Sequence, residues 1–285
     1  MSHAPESPWQ AAWRRLTSRR STVAAMVMLV LLVLVCVAGP WFSSYSETAQ
    51  NLDYGAQAPS PNHWLGTDTL GRDMLTRILH GGQVSLQVGL LATLVATVIG
   101  VIYGLVSGSA SRRTDDVMMR AVDILYAFPF MVFVILLMAT FGRKFWLIFV
   151  AIGAVEWLTM SRVVRGQVLA LKNLEFITAA RAYGASQFAI LWRHLLPNVI
   201  GVVIIYASLT LPGVMMFEAT LSFLGLGVQP PRASWGVLIS EGAKSMQTYP
   251  WLLLGPAAFF SLTLLSLNTL GDALRDALDP KGSAE

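Results

Sequence analysis

Six apolar runs, each at least 20 residues long, limit what this sequence can fold into. They are Val23–Phe42, Leu86–Val106, Met118–Phe141, Phe145–Val164, Val199–Leu224 and Trp251–Leu270. A 20-residue α-helix is about 30 Å long, which matches the hydrocarbon core of a bilayer. Because lipid offers no hydrogen-bond partners, each run is expected to cross as a helix. Only 13% of the residues are charged, so we predict an all-α integral membrane protein with six transmembrane helices.

The first run has the basic flank of a signal peptide. Four arginines precede it: Arg14, Arg15, Arg19 and Arg20. However, a signal-peptide core spans only about 7–15 residues, and no small-x-small cleavage site follows this run. We therefore predict a retained span at residues 23–42 after an N-terminal tail of residues 1–22. The single cysteine of the chain, Cys36, is interpreted as a small apolar residue and not as a redox site.

The distribution of Lys and Arg predicts the orientation. If the N-terminus is cytoplasmic, 14 of the 20 Lys and Arg residues fall in cytoplasmic segments and 6 fall in the outer segments. This bias follows the positive-inside rule, so both termini are predicted to be cytoplasmic. Residues 83–275 then form the membrane core, and residues 276–285 form a C-terminal cytoplasmic tail.

Two outer segments are long enough to hold structure of their own. The first, residues 43–82, is predicted as a periplasmic loop with a short surface helix that starts near Thr69, whose hydroxyl suits a helix cap. The face expected for that helix comprises Leu70, Met74, Ile78 and Leu79. The second segment follows the fifth span, and its prolines and glycines exclude another crossing.

Motifs for several other functions are absent from the sequence. It has no G-x-S-x-G, H-E-x-x-H or paired-cysteine pattern, and its 4 histidines show no metal-ligand spacing. It also has no G-x-x-x-x-G-K-[ST] loop, so we expect no ATP site and no other cofactor in this chain. Basic residues flank the apolar runs and form no stripe, which argues against nucleic acid as a partner. Energy for any driven transport would have to come from another chain.

Glu156 and Glu218 fall inside the fourth and fifth predicted spans. A carboxylate at the bilayer centre costs at least ~2.5 kcal/mol, so each should face protein or water. One interpretation is that they line a translocation path, together with Pro212, which allows a kink in the fifth span. The alternative is a buried hydrogen bond, or for Glu156 a contact with Arg162.

Gly100, Gly104 and Gly108 recur at four-residue spacing, so they share one face of the second predicted span. Small residues on one face allow another helix to approach closely. We interpret this face as a packing surface within the chain, with contact to a partner chain as the alternative.

A polar segment of residues 177–198, ITAARAYGASQFAILWRHLLPN, separates the fourth and fifth spans. Thr178–Tyr183 favours a helix, Gly184 permits a turn, and a second helix is expected to end at Pro197. The face predicted for that second helix comprises Phe188, Leu191, Trp192 and Leu195. The hairpin is either a docking surface for another protein or a short connection between two spans.

This segment resembles the cytoplasmic signature loop of ABC importer permeases. The family pattern is Glu-Ala-Ala, three residues, glycine, nine residues, then Ile-x-Leu-Pro. The matching positions are Ala179, Ala180, Gly184, Leu196 and Pro197. Two positions depart from the pattern, since Thr178 replaces the glutamate and His194 replaces the isoleucine. The loss of the glutamate removes one charge that would help to engage an ATPase.

Four further segments are similar to the second, C-type permease subunit of the oligopeptide, dipeptide and nickel importers. They are HWLGTDTLGRDMLTRILHGGQVSLQVG, RTDDVMMRAVDILYAFP, EATLSFLGLGVQPPRASWG and LNTLGDALRDALDP. These segments extend from about residue 63 to Pro280, which is most of the chain.

The resemblance implies a type I importer permease (MetI-like) fold, with a coupling helix between helices four and five in a loop of about residues 165–197. It implies a bacterial inner-membrane heterodimer with a second permease, surrounded by membrane lipid. The further partners would be two cytosolic ATPases that bind ATP and Mg²⁺, and a periplasmic or lipid-anchored substrate-binding protein. The residues implied in coupling are Thr178, Ala179, Ala180, Arg181, Gly184, Ala185, Arg193, Leu196 and Pro197.

The cargo expected from this resemblance is a di- or oligopeptide, but similar permeases carry nickel, glutathione-like compounds and other small solutes. Alternatives of a different class are a secondary carrier and a membrane scaffold that recruits a partner through the same hairpin. The carrier is disfavoured because no inverted repeat is evident in the sequence.

Overall fold

The computed structural model describes residues 8–278, and every regular element in that range is a helix. In chain order the helices are α1 (Pro8–Ser18), α2 (Arg20–Phe42), α3 (Met74–Ser109), α4 (Arg112–Ala127), α5 (Phe130–Phe141), α6 (Phe145–Leu171), α7 (Glu175–Ala182), α8 (Gln187–Ala189), α9 (Leu196–Phe223), α10 (Trp235–Lys244) and α11 (Trp251–Leu278). A π-helical turn at Ile190–Leu195 joins α8 to α9, so these two form one continuous helix.

Five helices in the described range are long and apolar enough to cross a membrane: α2, α3, α6, the continuous helix that contains α9, and α11. They confirm five of the predicted spans as helices. At 1.5 Å per residue, the 36 residues of α3 extend over about 54 Å, which is more than the hydrocarbon core requires. The end of the bundle near Met74 is called the loop end below, and the end near Ser109 is called the hairpin end.

The third predicted span, Met118–Phe141, is not one continuous helix. It consists of α4 and α5, which are bent by 82° relative to each other and together are long and apolar enough for the sixth crossing. Proline has no N–H to donate into the preceding turn, and it forces the residue before it into an extended conformation. Phe128 has such a conformation, with ψ of 132°, so Pro129 breaks this span.

The prediction of a short surface helix capped by Thr69 was wrong. Residues 43–73 contain no helix, and α3 begins at Met74 with Asp73 as its cap, which accepts a hydrogen bond from the Thr76 N–H at 2.8 Å. Before it, the Asp68 carboxylate accepts hydrogen bonds from the backbone N–H groups of residues 70 and 72 at 2.9 and 3.0 Å. Side chains that satisfy local backbone donors in this way favour a turn over a helix.

Close packing of α3 against α6 forms the centre of the bundle. A Cβ atom added to Gly104 would lie 2.6 Å from the carbonyl oxygen of Ser161. One added to Gly108 would lie 2.7 Å from Cβ of Val168, and Gly100 meets the same helix. No larger residue fits at these distances without moving a helix. The glycine face is therefore a packing surface within the chain, as the sequence predicted.

At the loop end, α10 fills the space between α3, α9 and α11. Trp235 is fully buried, and its indole N–H donates to the Ile78 carbonyl at 2.9 Å. Its backbone N–H donates to the Ser85 hydroxyl at 3.0 Å. Near the other end of α10, Glu241 pairs with Arg77 of α3 at 3.2 Å. With 10 residues, about 15 Å, α10 is too short to cross, as expected for this segment.

The first helix packs against the end of the last one. Leu16 of α1 is buried against Ala273 and Ala277 of α11. Arg19 and Asp276, both exposed, form an ion pair at 2.6 Å. Since α11 starts at the loop end and runs along the bundle, these contacts place α1 at the hairpin end.

The described helices overlap both predicted tails. The N-terminal tail predicted for residues 1–22 contains α1 and the first residues of α2. The C-terminal tail predicted for residues 276–285 overlaps the last turn of α11, which ends at Leu278. Residues 1–7 and 279–285 of these tails lie outside the described residues. The helices extend beyond the apolar composition at both ends, so composition alone placed the first boundary too late and the last one too early.

Candidate functional site

The polar segment between α6 and α9 folds as a helical hairpin. α7 ends at Ala182, and Gly184 follows with φ of 81°. The Gly184 N–H donates to the Arg181 carbonyl at 2.9 Å, and the Ala185 N–H donates to the Ala180 carbonyl at 3.0 Å. In this Schellman arrangement a left-handed glycine lets the chain satisfy the last carbonyls of a helix. The predicted helix and glycine turn are therefore confirmed.

The second helix of the hairpin was predicted to end at Pro197. That prediction was wrong, because the helix continues into α9. The π-helical turn at Ile190–Leu195 immediately precedes the proline. The Asn198 side chain also donates to the His194 carbonyl at 2.6 Å, which satisfies one carbonyl of that turn. Because the backbone hydrogen-bond pattern already changes there, the missing N–H of Pro197 does not end the helix.

The prediction of one shared face was wrong for the residues Phe188, Leu191, Trp192 and Leu195. Leu195 is fully buried together with Ile190, whereas Phe188 and Trp192 are exposed, with their ring centroids 6.0 Å apart. A π-helical turn holds more residues than an α-helical turn, so side chains spaced for one α-helical face are rotated apart.

The inner face of the hairpin is buried against the α3–α6 pair. Ile177, Ile190 and Leu195 are fully buried in one apolar cluster with Val164 and Val168 of α6. Burial of each large aliphatic side chain stabilises the folded state by about 1.5–3 kcal/mol. The hairpin is therefore a firmly packed part of the membrane core and not a slack connection.

Two polar side chains also attach the hairpin to the end of α3. The Lys172 ammonium donates to the Gly108 carbonyl at 3.0 Å, and the Gln187 amide donates to the Ser109 carbonyl at 3.2 Å. Both satisfy carbonyls at a helix C-terminus, where Lys is also favoured by the helix dipole. Sequence reasoning missed both contacts, because the partners are 64 and 78 positions apart in the chain.

The outer face of the hairpin presents aromatic side chains to its surroundings. Tyr183 is 93% exposed and Phe188 is 70% exposed. The cations Arg181 and Arg193 of the hairpin are also exposed. Exposed aromatic residues flanked by arginines are typical of protein-binding surfaces. Tyr183 was not predicted as a site residue from the sequence, although an aromatic residue in this polar segment was a signal for it.

The residues predicted for coupling divide between the two faces. Six of the nine are exposed: Thr178, Ala179, Arg181, Gly184, Arg193 and Pro197. Ala180, Ala185 and Leu196 are partly buried, and Ala185 and Leu196 pack against the apolar cluster under the hairpin. The exposed set forms a surface, and the remaining three help to fix its position. Their role in coupling stays a prediction.

Glu218 is fully buried between α9 and α10. Its carboxylate accepts hydrogen bonds from the hydroxyls of Ser222 at 2.8 Å and Ser234 at 2.5 Å. Ser234 also caps α10 by accepting from the Val237 N–H at 3.2 Å. The carboxylate thus ties the start of α10 to α9, which is the hydrogen-bonded arrangement considered for it. Its place in a translocation path stays a prediction.

The other two residues predicted for the path, Glu156 and Pro212, are not part of this hydrogen-bonded group. Glu156 is half-buried on α6, and Arg162, the partner considered for it, instead pairs with Asp123 at 2.7 Å. Pro212 is buried within α9, on the same helix as Glu218. Between residues 8 and 278, no group of three or more His, Cys, Asp or Glu is arranged to hold a metal ion.

Comparison with protein families accounts for most of the chain. The family described as binding-protein-dependent transport system inner membrane component matches residues 64–283. The chain belongs to this permease family. A second family, the N-terminal TM domain of oligopeptide transport permease C, matches residues 7–59. The resemblance to the C-type permease subunit of the oligopeptide importers is thereby confirmed.

Curated relatives of this permease match nearly its whole length. The oligopeptide transport system permease protein OppC of Escherichia coli K12 is 52% identical over 96% of this chain and 92% of the relative. The dipeptide permease DppC of Bacillus subtilis is 45% identical over 95% of this chain and 85% of the relative. The glutathione permease GsiD of Pectobacterium atrosepticum is 37% identical over 96% and 92% of the two chains.

A solved structure supports the fold of the permease core. The crystal structure of an amino acid ABC transporter with histidines has a TM-score of 0.52 and 15% identity to this chain. It covers 68% of this permease and 91% of the solved chain. The predicted all-α permease fold is therefore confirmed.

Proposed function

We propose that this permease is one subunit of an ATP-driven importer whose cargo is a di- or oligopeptide. The cargo is supported by the relatives named as oligopeptide and dipeptide permeases, at 52% and 45% identity over nearly the whole chain. The glutathione permease, at 37% identity, makes a glutathione-like compound the second candidate. A peptide and glutathione share amide bonds and charged ends, so one kind of polar path serves both.

The packed hairpin is the observation that carries the role in energy coupling. Its inner face is buried against α6, so a movement imposed on its outer face is passed to the membrane helices through packed side chains. Its outer face carries Tyr183, Phe188 and the exposed residues named for coupling, which fit a groove on another protein. In this proposal the partners are two cytosolic ATPase chains that bind ATP and Mg²⁺, one for each permease.

The hairpin end faces the cytoplasm and the loop end faces the periplasm in this proposal. The distribution of Lys and Arg supports that orientation. Both chain termini then lie in the cytoplasm of a bacterial cell. A second permease completes the translocation path, and a periplasmic or lipid-anchored binding protein delivers the peptide at the loop end. Membrane lipid covers the exposed apolar side chains of α2, such as Leu31 and Leu34.

The translocation path of this proposal includes Glu156, Glu218 and Pro212. Glu156 is the most accessible of the three, because it is half-buried whereas Glu218 and Pro212 are buried. The carboxylate of Glu218 is held by the hydroxyls of Ser222 and Ser234. It would reach the path only if α10, which Ser234 caps, moved relative to α9.

Co-purification tests the importer proposal directly. The chain is tagged at its C-terminus, extracted gently from its native membrane, and the proteins that accompany it are identified by mass spectrometry. We expect a second permease and one or two ATPases. If the chain is recovered alone, from membranes in which known complexes survive extraction, it is a carrier or a scaffold and the importer proposal fails.

A matched pair of variants tests the hairpin as the ATPase contact. Tyr183→Ala removes a side chain that is 93% exposed on the hairpin, and Trp64→Ala removes one that is 72% exposed at the loop end. Because aromatic residues dominate the energy of protein interfaces, we expect Tyr183→Ala to weaken ATPase binding by about fivefold or more. Trp64→Ala should leave binding unchanged. Equal ATPase recovery from both variants would exclude this face as the contact.

The cargo is tested on the binding protein that co-purifies with the complex. Isothermal titration with dipeptides, pentapeptides, glutathione and Ni²⁺ gives the affinity for each class. We expect binding of peptides. Binding of Ni²⁺ alone would overturn the peptide assignment and leave the importer assignment intact.

A further inference from the structure

A partly buried ion pair and a serine hydroxyl join three helices beside the hairpin. The Arg165 guanidinium of α6 binds the Asp115 carboxylate of α4 through two parallel hydrogen bonds, each 2.6 Å long. The Ser107 hydroxyl of α3 donates to the same carboxylate at 2.5 Å. Asp115 is only 6% exposed. A two-point arginine–carboxylate contact fixes orientation as well as distance, so it holds α4 in one pose on α3 and α6.

Few other contacts hold α4 in place. Its buried residues are Asp115 and Val122, while Val117 and Ile124 are largely exposed. The Tyr103 hydroxyl of α3 donates to a backbone carbonyl of α4 at 2.8 Å. With so little apolar surface buried, α4 depends on its polar attachments for its position. Within the described chain, the bidentate pair is the strongest of these by geometry.

Arg165 belongs to the part of α6 that carries the hairpin. Its neighbours Val164 and Val168 are buried against Ile177 and Ile190 of the hairpin. A displacement of the hairpin therefore displaces this end of α6, and the ion pair transfers it to α4. Beyond α4 the chain is bent by 82° at Pro129 before α5 continues into the apolar core. A helix broken at a proline can change its angle without breaking its own hydrogen bonds.

We propose that Asp115 and Arg165 are positioning residues for transport, which transmit the movement of the hairpin to α4 and, across the break at Pro129, to α5. This proposal rests on the coupling role proposed for the hairpin. In this proposal neither residue contacts cargo or nucleotide. Their effect is to keep the hairpin, the end of α6 and the start of α4 moving as one body, so that work by the ATPases reorients the broken span.

The same two helices supply a matched control. Arg162 of α6 and Asp123 of α4 also form an ion pair, at 2.7 Å, but both side chains are exposed. Exposed pairs contribute little to holding two elements together. This pair is made through one nitrogen, and the Arg162 guanidinium also lies over the Tyr126 ring of α4, 4.6 Å from its centroid. If any α4–α6 ion pair served equally, removal of either pair would have the same effect.

The test uses the whole importer, with its second permease, ATPases and binding protein, reconstituted in liposomes. Uptake of radiolabelled trialanine and ATP hydrolysis are measured on the same vesicles. We expect Asp115→Asn and Arg165→Gln to lower the trialanine transported per ATP hydrolysed by at least about fivefold, while the ATPases stay bound. Asp123→Asn and Arg162→Gln should stay within about twofold of the unaltered complex. Equal ratios for the two pairs would overturn the proposal.

A distance measurement keeps the proposal testable even if those variants fold poorly. With Cys36 replaced by serine, spin labels at Arg113 on α4 and Ala182 on the hairpin report whether the two move together. In the otherwise unaltered complex, we expect this distance to be the same without nucleotide and after trapping with ATP and vanadate. A change in it would disprove the single moving body.

A second label pair separates this outcome from failure of the coupling role itself. Labels at Ala49, at the loop end, and Ala182 report whether the hairpin moves at all. If that distance is constant on trapping, the hairpin is not the moving contact and the proposed coupling fails. If it changes while the Arg113–Ala182 distance also changes, only the role of the ion pair fails.

Discussion

Gly184 and Gly166 offer the same substitution in two backbone conformations. A Cβ atom would meet nothing within 4 Å at either position, but Gly184 has φ of 81° while Gly166 lies inside α6. Alanine at Gly184 is strained by about 1 kcal/mol, whereas alanine at Gly166 favours the helix by about 0.5–1 kcal/mol. We expect Gly184→Ala to reduce the ATPase recovered in a quantitative pull-down, with normal amounts of permease in the membrane.

Gly166→Ala is the control for that comparison, since it adds the same methyl group nearby. It should leave both the recovered ATPase and the amount of permease unchanged. Equal recovery from the two variants would show that the left-handed turn at Gly184 is not needed for the contact.

The serines around Glu218 make two substitutions informative. Glu218→Leu leaves the buried hydroxyls of Ser222 and Ser234 without their acceptor, which costs about 1–3 kcal/mol for each unsatisfied group. Glu218→Gln retains an acceptor oxygen. We therefore expect the melting temperature of the solubilised complex to fall clearly for leucine and little for glutamine. If glutamine alters uptake at an unchanged melting temperature, Glu218 serves the path, and unchanged uptake would assign it to packing.

At the residue scale, only local chemistry could be predicted from the sequence. The turn at Gly184 was predictable, because glycine is the residue that adopts positive φ at no steric cost. The pair Asp115–Arg165 was not, because its members are 50 positions apart and each looks like an ordinary charge at a helix end. For the same reason the serine partner Ser234 of Glu218, 16 positions away across a loop, could not be named.

At the scale of elements, the spacing between α3 and α6 depends on their glycine face. Gly104→Leu would place a side chain where the Ser161 carbonyl lies 2.6 Å from the added Cβ, so the two helices must separate. Overpacking of this kind typically costs about 1–3 kcal/mol. We expect a lower melting temperature and weaker retention of the ATPases, because the hairpin is packed on these two helices.

Gly201→Leu on α9 is the matched control for this change, since a Cβ there meets nothing within 4 Å. It should leave the melting temperature nearly unchanged. If both leucine variants melt alike, the close approach of α3 and α6 contributes no stability.

Helix existence was easier to predict than helix ends. The apolar runs gave the spans, but the start of α3 depended on Asp73 and Thr76, whose capping contact is visible only in three dimensions. The break at Pro129 had a signal, since proline disfavours a continuous helix. The π-helical turn at Ile190–Leu195 had none, and it moved Phe188 and Leu195 to different faces.

At the scale of the whole molecule, the lipid solvent made the helical architecture predictable from the sequence. It did not make the contacts with partner chains predictable. Every backbone group in hydrocarbon must be satisfied within the protein, so apolar runs translate directly into helices. The same solvent hides interfaces, because an apolar side chain that faces lipid has the same composition as one that faces a partner. The exposed Val117 and Ile124 of α4 illustrate this ambiguity.

The orientation of the whole molecule can be tested by labelling introduced cysteines. Cys36 is the single cysteine and is fully buried, so the unaltered chain should react little with a thiol reagent. Ala49→Cys at the loop end and Ala182→Cys on the hairpin each add one exposed thiol. If the positive-inside rule holds here, a membrane-impermeant maleimide labels Ala49→Cys in intact spheroplasts and labels Ala182→Cys only after permeabilisation. The reverse pattern would place the hairpin outside the cell, where no ATP-driven motor could reach it, and the coupling role would fall with the orientation.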